Sequence, residues 1–263
     1  MTADPFFAVP RATRVTSQGP VELPILYHDA TNVVALFAVD AARARQLLDG
    51  TGLAPLPLAR GRALAAVSFY EYRDTTVGAY NEVGVALFVL PDGEPASPWR
   101  WTDLLRAPSS RRLGAWVVDL PVTTAVADAA GRELWGYPKF VTRIPFEHAG
   151  RTIDGRVLDP SGSTICTLAG RAGLGVPAPP LSLMTYTRLD GRLLRTHIDV
   201  RGRVTLHRSG TVRFTVGESH HPMAERLRRL GLGAARPLVL WTTSRFQSKL
   251  HAGTAAEPQR PAT

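Results

Sequence analysis

Lysine is nearly missing from this chain: two, Lys139 and Lys249, stand against twenty-nine arginines. Arginine serves wherever a permanent charge or a fork of donors suffices, because its guanidinium keeps its proton. Only a lysine amine can be desolvated, lose its proton and attack a carbonyl, so a retained lysine is a candidate for that chemistry. Lys249 stands near the polar end of the chain and reads as a solvated charge. Lys139 follows Trp135 and Tyr137 and precedes Phe140, an aromatic setting that argues against a surface role.

Other shortages exclude whole classes of protein. A single cysteine, Cys166, rules out an internal disulfide and any zinc ribbon, and its alternating context, Thr164-Ile165-Cys166-Thr167-Leu168, marks a small core residue. No apolar run approaches the roughly 20 residues of a membrane span, so no membrane partner is expected. Met1 to Pro5 lacks a basic region followed by an apolar one, so no signal peptide is expected and the location is expected to be cytoplasmic. The net charge of +9 comes from arginines spread along the whole chain. Their densest groups, Arg111-Arg112 and Arg226 with Arg228-Arg229, are short and lack interleaved aromatics, so no nucleic-acid partner is expected. The second group reads as the solvated face of a short helix from His221 to Leu230.

Cofactor signatures are absent as well. Gly170, Gly173 and Gly175 do not space as a phosphate or dinucleotide loop, and Asp159 to Ser163 reads as a turn rather than a nucleophile elbow. Of seven histidines only His220-His221 adjoin, and they read as exposed loop residues. No metal and no cofactor is expected.

What the chain has is strands. Val33 to Val39, Ala63 to Tyr72, Val77 to Leu90 and Leu113 to Leu120 are apolar runs of strand length. Phe140 to Phe146, Thr152 to Leu158, Ser163 to Ala169 and Pro237 to Thr243 continue the pattern. Met184 to Leu189 and Arg192 to Val200 flank Asp190-Gly191, a hairpin signal, and Val204 to His207 and Val212 to Val216 flank a turn at Ser209-Gly210. Helices are inserted singly. Asp40 caps Ala41 to Leu48, and Thr123 or Thr124 caps a helix reaching about Leu134, ended by Gly136 and Pro138. The reading is one α+β domain, mostly antiparallel β, over residues 1–251, with a proline-rich loop at Pro177 to Pro180 and a disordered tail over 252–263.

Three segments carry a family resemblance. Gly131-Arg132-Glu133-Leu134-Trp135-Gly136-Tyr137-Pro138-Lys139 resembles the signature of the acetoacetate decarboxylase family, in which a helix leads into a lysine that forms a Schiff base with a ketone. Gly78-Ala79-Tyr80-Asn81-Glu82-Val83-Gly84 is similar to the strand bearing that family's active-site glutamate, and Val39-Asp40 through Leu48 is similar to its first helix. The resemblance implies twisted β-sheets forming a β-cone with a few helices. It implies Lys139 and Glu82 as catalytic residues, with Tyr80, Tyr137, Trp135 and Phe140 in contact with substrate.

The pattern also departs from the family's. Phe140 stands where the decarboxylase has a second lysine, Asp29 or Ala30 where it has an arginine, and Val67 near where it has a second acid. Arg73 and Arg132 are the candidates to replace the lost positive charge, although Arg132 beside Glu133 reads more simply as a structural or surface pair. With a reference value near 10.4, only about one lysine amine in 2,500 is neutral at pH 7, so a nucleophilic lysine needs desolvation or a neighbouring cation. Acetoacetate decarboxylase is itself the known instance of a lysine activated in this way. Here the activation falls to desolvation by Trp135, Tyr137 and Phe140, although strand alternation can turn Phe140 away.

The resemblance implies a Schiff-base carbon–carbon lyase acting on a small keto acid, with decarboxylation of a β-keto acid placed first. An aldolase-dehydratase joining a 2-oxo acid such as pyruvate to an aldehyde uses the same lysine, and loss of the second lysine and the arginine moves weight toward it. A non-catalytic member binding a small ligand is the third reading. A homo-oligomer is the expected assembly.

Overall fold

The computed structural model describes residues 4–93, 100–106 and 110–256. The elements that position the site are, in chain order, β1 (Ile25–Asp40), α1 (Ala41–Leu47), β2 (Arg62–Thr75), β3 (Tyr80–Pro91), β4 (Gly114–Val122), α2 (Ala125–Trp135), β5 (Lys139–Val141), β6 (Phe146–Ala149), β7 (Thr152–Leu158), β8 (Thr164–Arg171), β9 (Leu183–Leu189), β10 (Arg192–Arg201), β11 (Val204–His207), β12 (Arg213–Val216), α3 (Pro222–Arg229) and β13 (Val239–Leu250).

Seven strands close on themselves in the order β13–β1–β2–β3–β4–β9–β10, because β10 pairs back to β13 through Ile198 opposite Leu250. Neighbours run antiparallel except at β4. That strand gives the beginning of one edge to β9 in parallel, at Ala115 opposite Thr185, and the end of the same edge to β5, at Leu120 opposite Lys139. A second sheet, β6–β7–β8–β12 with residues 234–235 at its edge, covers the outside of this barrel together with α3.

Alternation decides what faces each way. On β3, Val83, Val85, Leu87 and Val89 are fully buried in the outer core, while Glu82, Gly84, Ala86 and Phe88 face the lumen. The strand reads as one apolar run because both of its faces are covered. The outer core is knitted by aromatics: Phe37 meets Phe214 at 5.6 Å between centroids, and Phe69 meets Phe146 at 5.5 Å. Cys166 lies fully buried in it, as its strand context foretold.

The helix ends follow their capping residues. Asp40 accepts from Arg43 N–H at 2.9 Å, and Thr124 accepts from Ala127 N–H at 3.4 Å. Asp190 and Gly191 both take positive φ, the geometry of a two-residue hairpin turn joining β9 to β10.

Several boundaries differ from expectation. The run from Phe140 to Phe146 is two strands, β5 and β6, that belong to different sheets. The strands flanking Ser209-Gly210 likewise part company, β11 going to the barrel sheet and β12 to the outer sheet. Pro177 and Ala178 lie in an edge strand, residues 175–178, paired with β11, a place where proline's missing donor is tolerated. The expected tail holds a short strand, Thr254–Ala255, paired with β10, and residues 257–263 lie outside the described ones. Arg226 is only partly exposed, not a freely solvated charge: both ends of its guanidinium donate to the buried carboxylate of Asp119, Nε at 3.0 Å from Oδ2. No helix among the described residues is long and apolar enough to cross a membrane.

Candidate active site

The lumen of the barrel holds a cavity of about 260 Å³. Barrels of about this strand number enclose room for one small ligand. One row of residues crosses its polar end, since Glu82 lies opposite Tyr70, Tyr70 opposite Asn32, and Asn32 opposite Thr243.

Lys139 reaches that row by a local device. Helix α2 ends at Gly136, whose φ of 67° is left-handed, and its N–H bonds to Arg132 O at 3.0 Å while Tyr137 N–H bonds to Gly131 O at 3.0 Å. A Cβ on Gly136 would stand 2.1 Å from Arg188 O, so only glycine fits this turn. The chain is thrown back along β4, and Lys139 points into the lumen. Its side chain passes directly over the helix at Gly131, where a Cβ would lie 2.3 Å from Lys139 Cε. The glycine in the motif is thus the gap through which the lysine passes.

Lys139 Nζ donates to Glu82 Oε2 at 2.7 Å, and the two side chains keep only 6% and 10% of their surface exposed. Tyr72 O–H donates to the other carboxylate oxygen at 3.4 Å. The ammonium stands 5.7 Å above the Tyr80 ring, within reach of its negative face. Tyr80 and Tyr27 share a hydrogen bond at 3.2 Å, and Tyr137 shares one with Thr185 at 2.7 Å. Ring contacts join Tyr27 to Tyr72 at 4.6 Å, Tyr72 to Tyr80 at 4.8 Å, and Tyr70 to Tyr72 at 5.3 Å.

Five of the chain's six tyrosines therefore gather around one lysine and one glutamate. Burial pushes the phenols of Tyr27, Tyr72, Tyr80 and Tyr137 well above the ordinary value, and the negative charge of Glu82 adds to the effect. Tyr70 is pushed up to about 12 for the same two reasons. These groups stay protonated and act as neutral donors throughout the neutral range.

Among the described lining residues, Lys139 and Glu82 are the only charged ones. The remaining polar ones are neutral, such as Asn32, Ser68, Thr185 and Thr243. Neither arginine proposed to replace the missing charge enters the lumen. Arg73 is turned outward, with Nε 2.7 Å and Nη2 2.9 Å from the two Asp29 oxygens and Nη1 2.6 Å from Glu71. Arg132 is exposed, and its neighbour Glu133 accepts from the backbone and hydroxyl of Ser17. Val67 faces the outer core, so an acid there would not reach the cavity.

Three expected contacts are corrected. Phe140 follows Lys139 on a strand and so faces the opposite way, its ring 4.6 Å from His221 in the outer core. Trp135 is fully buried behind the cavity, with Nε1 donating to His251 O at 2.9 Å, because it closes the helix that Lys139 leaves. Tyr80 is buried behind Lys139 and does not line the cavity, so of the four expected contacts only Tyr137 does. Tyr27, Tyr70 and Tyr72 were not found from sequence; the period-two pair Tyr70-Glu71-Tyr72 was the available signal.

Lys249 is also corrected, being paired with Asp199 at 3.0 Å and set against the Phe6 ring at 4.5 Å rather than solvated. The histidines are less scattered than the sequence suggested, for His197 and His251 stack at 5.5 Å beside Asp199. Their ligand atoms lie within 4.8 Å of one another, a spacing that could hold a metal ion. Lys249 already supplies that carboxylate with a cation, and the group reads as an ion-pair network.

The family model for acetoacetate decarboxylase matches residues 8–202. The chain belongs to the acetoacetate decarboxylase family. Acetoacetate decarboxylase from Legionella pneumophila subsp. pneumophila str. Philadelphia 1 is similar in structure, with a TM-score of 0.65, 16% identity and 98% of each chain covered. A second acetoacetate decarboxylase structure gives a TM-score of 0.63 at 18% identity, over 89% of each chain. The enduracididine biosynthesis enzyme MppR, complexed with the condensation product of pyruvate and imidazole 4-carboxaldehyde, gives 0.61 at 17% identity, over 89% of this chain and 90% of that one. These likenesses establish the acetoacetate decarboxylase-like fold. No curated protein sequence matches the chain.

Proposed function

We propose that this protein is a Schiff-base-forming carbon–carbon lyase that decarboxylates a β-keto acid through Lys139. The observation that carries the reading is a single amine–carboxylate pair, 2.7 Å apart, set in a cavity with no other charged side chain among the described residues. Passing the shared proton from Nζ to Oε2 along that hydrogen bond leaves a neutral amine beside a carboxylic acid. The amine attacks the substrate ketone, and Glu82 returns the proton to the departing hydroxyl as water leaves. The product of these steps is a protonated imine.

The C–C bond to the carboxylate then breaks. Its electron pair forms the enamine double bond, the iminium nitrogen becomes neutral, and CO2 departs. Glu82, having given its proton to the leaving water, takes up one from solvent and delivers it to the enamine carbon, and hydrolysis of the resulting iminium releases the ketone and restores Lys139. An apolar cavity favours the loss of CO2, because the iminium cation and the substrate carboxylate are consumed together and the substrate keeps no charge to be solvated. The buried phenols of Tyr72 and Tyr80 hold Glu82 and Lys139 in place without adding charge.

The test is reductive trapping. Borohydride added to protein and ketone is expected to leave a covalent mass increment on the peptide holding Lys139, and β-keto acid is expected to release CO2. No increment with any of a panel of ketones and keto acids would refute the assignment.

The likeness to MppR favours a second reading, aldol addition of pyruvate to an aldehyde through the same imine. It is placed second because a pyruvate carboxylate survives the reaction and would stay desolvated with no cation beside it other than the imine itself. A condensation product from pyruvate and aldehyde, formed without CO2 release, would reverse the order.

A further inference from the structure

The cavity is longer and more apolar than acetoacetate needs, and its charge sits at one end. Along β3 the lumen-facing residues run from Glu82 through Gly84 and Ala86 to Phe88. Six residues of strand rise about 20 Å. Lys139 joins at the Glu82 end. Beyond it the wall is apolar, and one row crosses the barrel as Leu36 opposite Ala66 opposite Ala86. Leu56, Leu64 and Trp241 also line the cavity.

Nothing in this stretch recognises charge. No arginine or histidine is among the described residues lining the lumen, and a second anionic group placed there would be desolvated without a partner. A methyl group beside Lys139 would leave the row of Leu36, Ala66 and Ala86 empty, or filled by water with few polar partners.

We infer that the ketone of the substrate carries an extended apolar chain, seated along β3 from Glu82 toward Phe88 with the carbonyl at Lys139. The substrate class is thus a β-keto acid with a hydrocarbon tail rather than acetoacetate or pyruvate. This rests on the imine reading above and deepens it. The carboxylate needs no lasting partner, since it leaves as CO2, and the tail supplies the binding that a charge pair would supply for a small acid.

Methyl ketones, the products of such a reaction, separate the two claims. Acetone and the ketones bearing butyl, hexyl and octyl chains would be titrated calorimetrically into the full chain, then reduced with borohydride and mapped by mass. Affinity is expected to tighten about fourfold per methylene, so about fifteenfold from butyl to hexyl, with the adduct on Lys139. Ala66→Leu, and Ala86→Leu should the first fail to fold, fill the tail region and are expected to bring the octyl-to-butyl ratio toward one. Acetone binding and trapping as tightly as the octyl ketone would overturn the inference while leaving the imine intact. Chain-length dependence in the calorimeter with no adduct on any ketone would overturn the imine and keep the apolar site.

Discussion

The two faces of β3 are one strand put to two different uses. Val83, Val85, Leu87 and Val89 fill the outer core completely, whereas Glu82, Gly84, Ala86 and Phe88 border empty space. The first face is large, branched and packed against a second sheet. The second is small except at its ends, and its only charge is held by a lysine arriving from another strand. Stability is concentrated on one side of the sheet, which leaves the other side free to keep a void and a buried ion pair.

Changes on the two faces are therefore expected to fail in different ways. The largest effect is chemical: Lys139→Arg keeps a charge opposite Glu82 and is expected to lose borohydride trapping and CO2 release altogether, with circular dichroism unchanged. Survival of activity in that variant would remove Lys139 from the chemistry. On the outer face, Phe37→Ala is expected to cost about 3–5 kcal/mol in urea unfolding, whereas Val34→Ala, on the same strand but facing the lumen, is expected to cost under about 1. Equal losses would erase the distinction between the faces. Arg226→Met leaves the carboxylate of Asp119 buried without its partner. It is expected to cost about 3 kcal/mol, the low end for such pairs, because the guanidinium keeps 34% of its side-chain surface exposed.

Gly131→Ala tests the lumen face without replacing either member of the Lys139–Glu82 pair. The new Cβ displaces a flexible lysine side chain rather than backbone, so the fold should hold or gain slightly from the better helix former. Turnover is expected to fall about a hundredfold as Nζ leaves its place beside Glu82. The smallest effect is on pH. Unfolded phenols titrate at about 10, while burial holds those of Tyr27, Tyr72, Tyr80 and Tyr137 above that value. Their contribution is fully present below pH 10 and is lost as pH rises beyond it, because only the unfolded chain releases protons there. Tyrosinate absorbance should thus appear together with loss of structure, and its appearance in a folded protein at pH 10 would contradict the burial.

The sequence made some of this legible and hid the rest for physical reasons. Lys139 and Glu82 could be found because each stands in a compact local signature, and because an arginine-rich chain makes a lysine conspicuous. The strands could be found from alternation and turn residues. Closure of the barrel could not, since the seam joins Ile198 to Leu250 and a lumen-facing leucine looks like a core leucine. The tyrosine cluster depends on register across β1, β2 and β3, which no local pattern records. Trp135 was misplaced because it ends the helix behind the cavity, and Phe140 because successive residues on a strand face opposite ways: position 140 faces His221, so a lysine there would also point away from Nζ. The missing second lysine therefore changes the outer core more than the reactive end.

The divided edge of β4 has one more consequence. Because β9 takes its beginning and the three-residue β5 its end, Lys139, the proposed nucleophile, rides on a short stave that is not one of the seven closing the barrel. The container and its reactive lining are separately adjustable: substitutions around the hoop can reshape what fits inside, while the stave keeps delivering the same amine to the same spot.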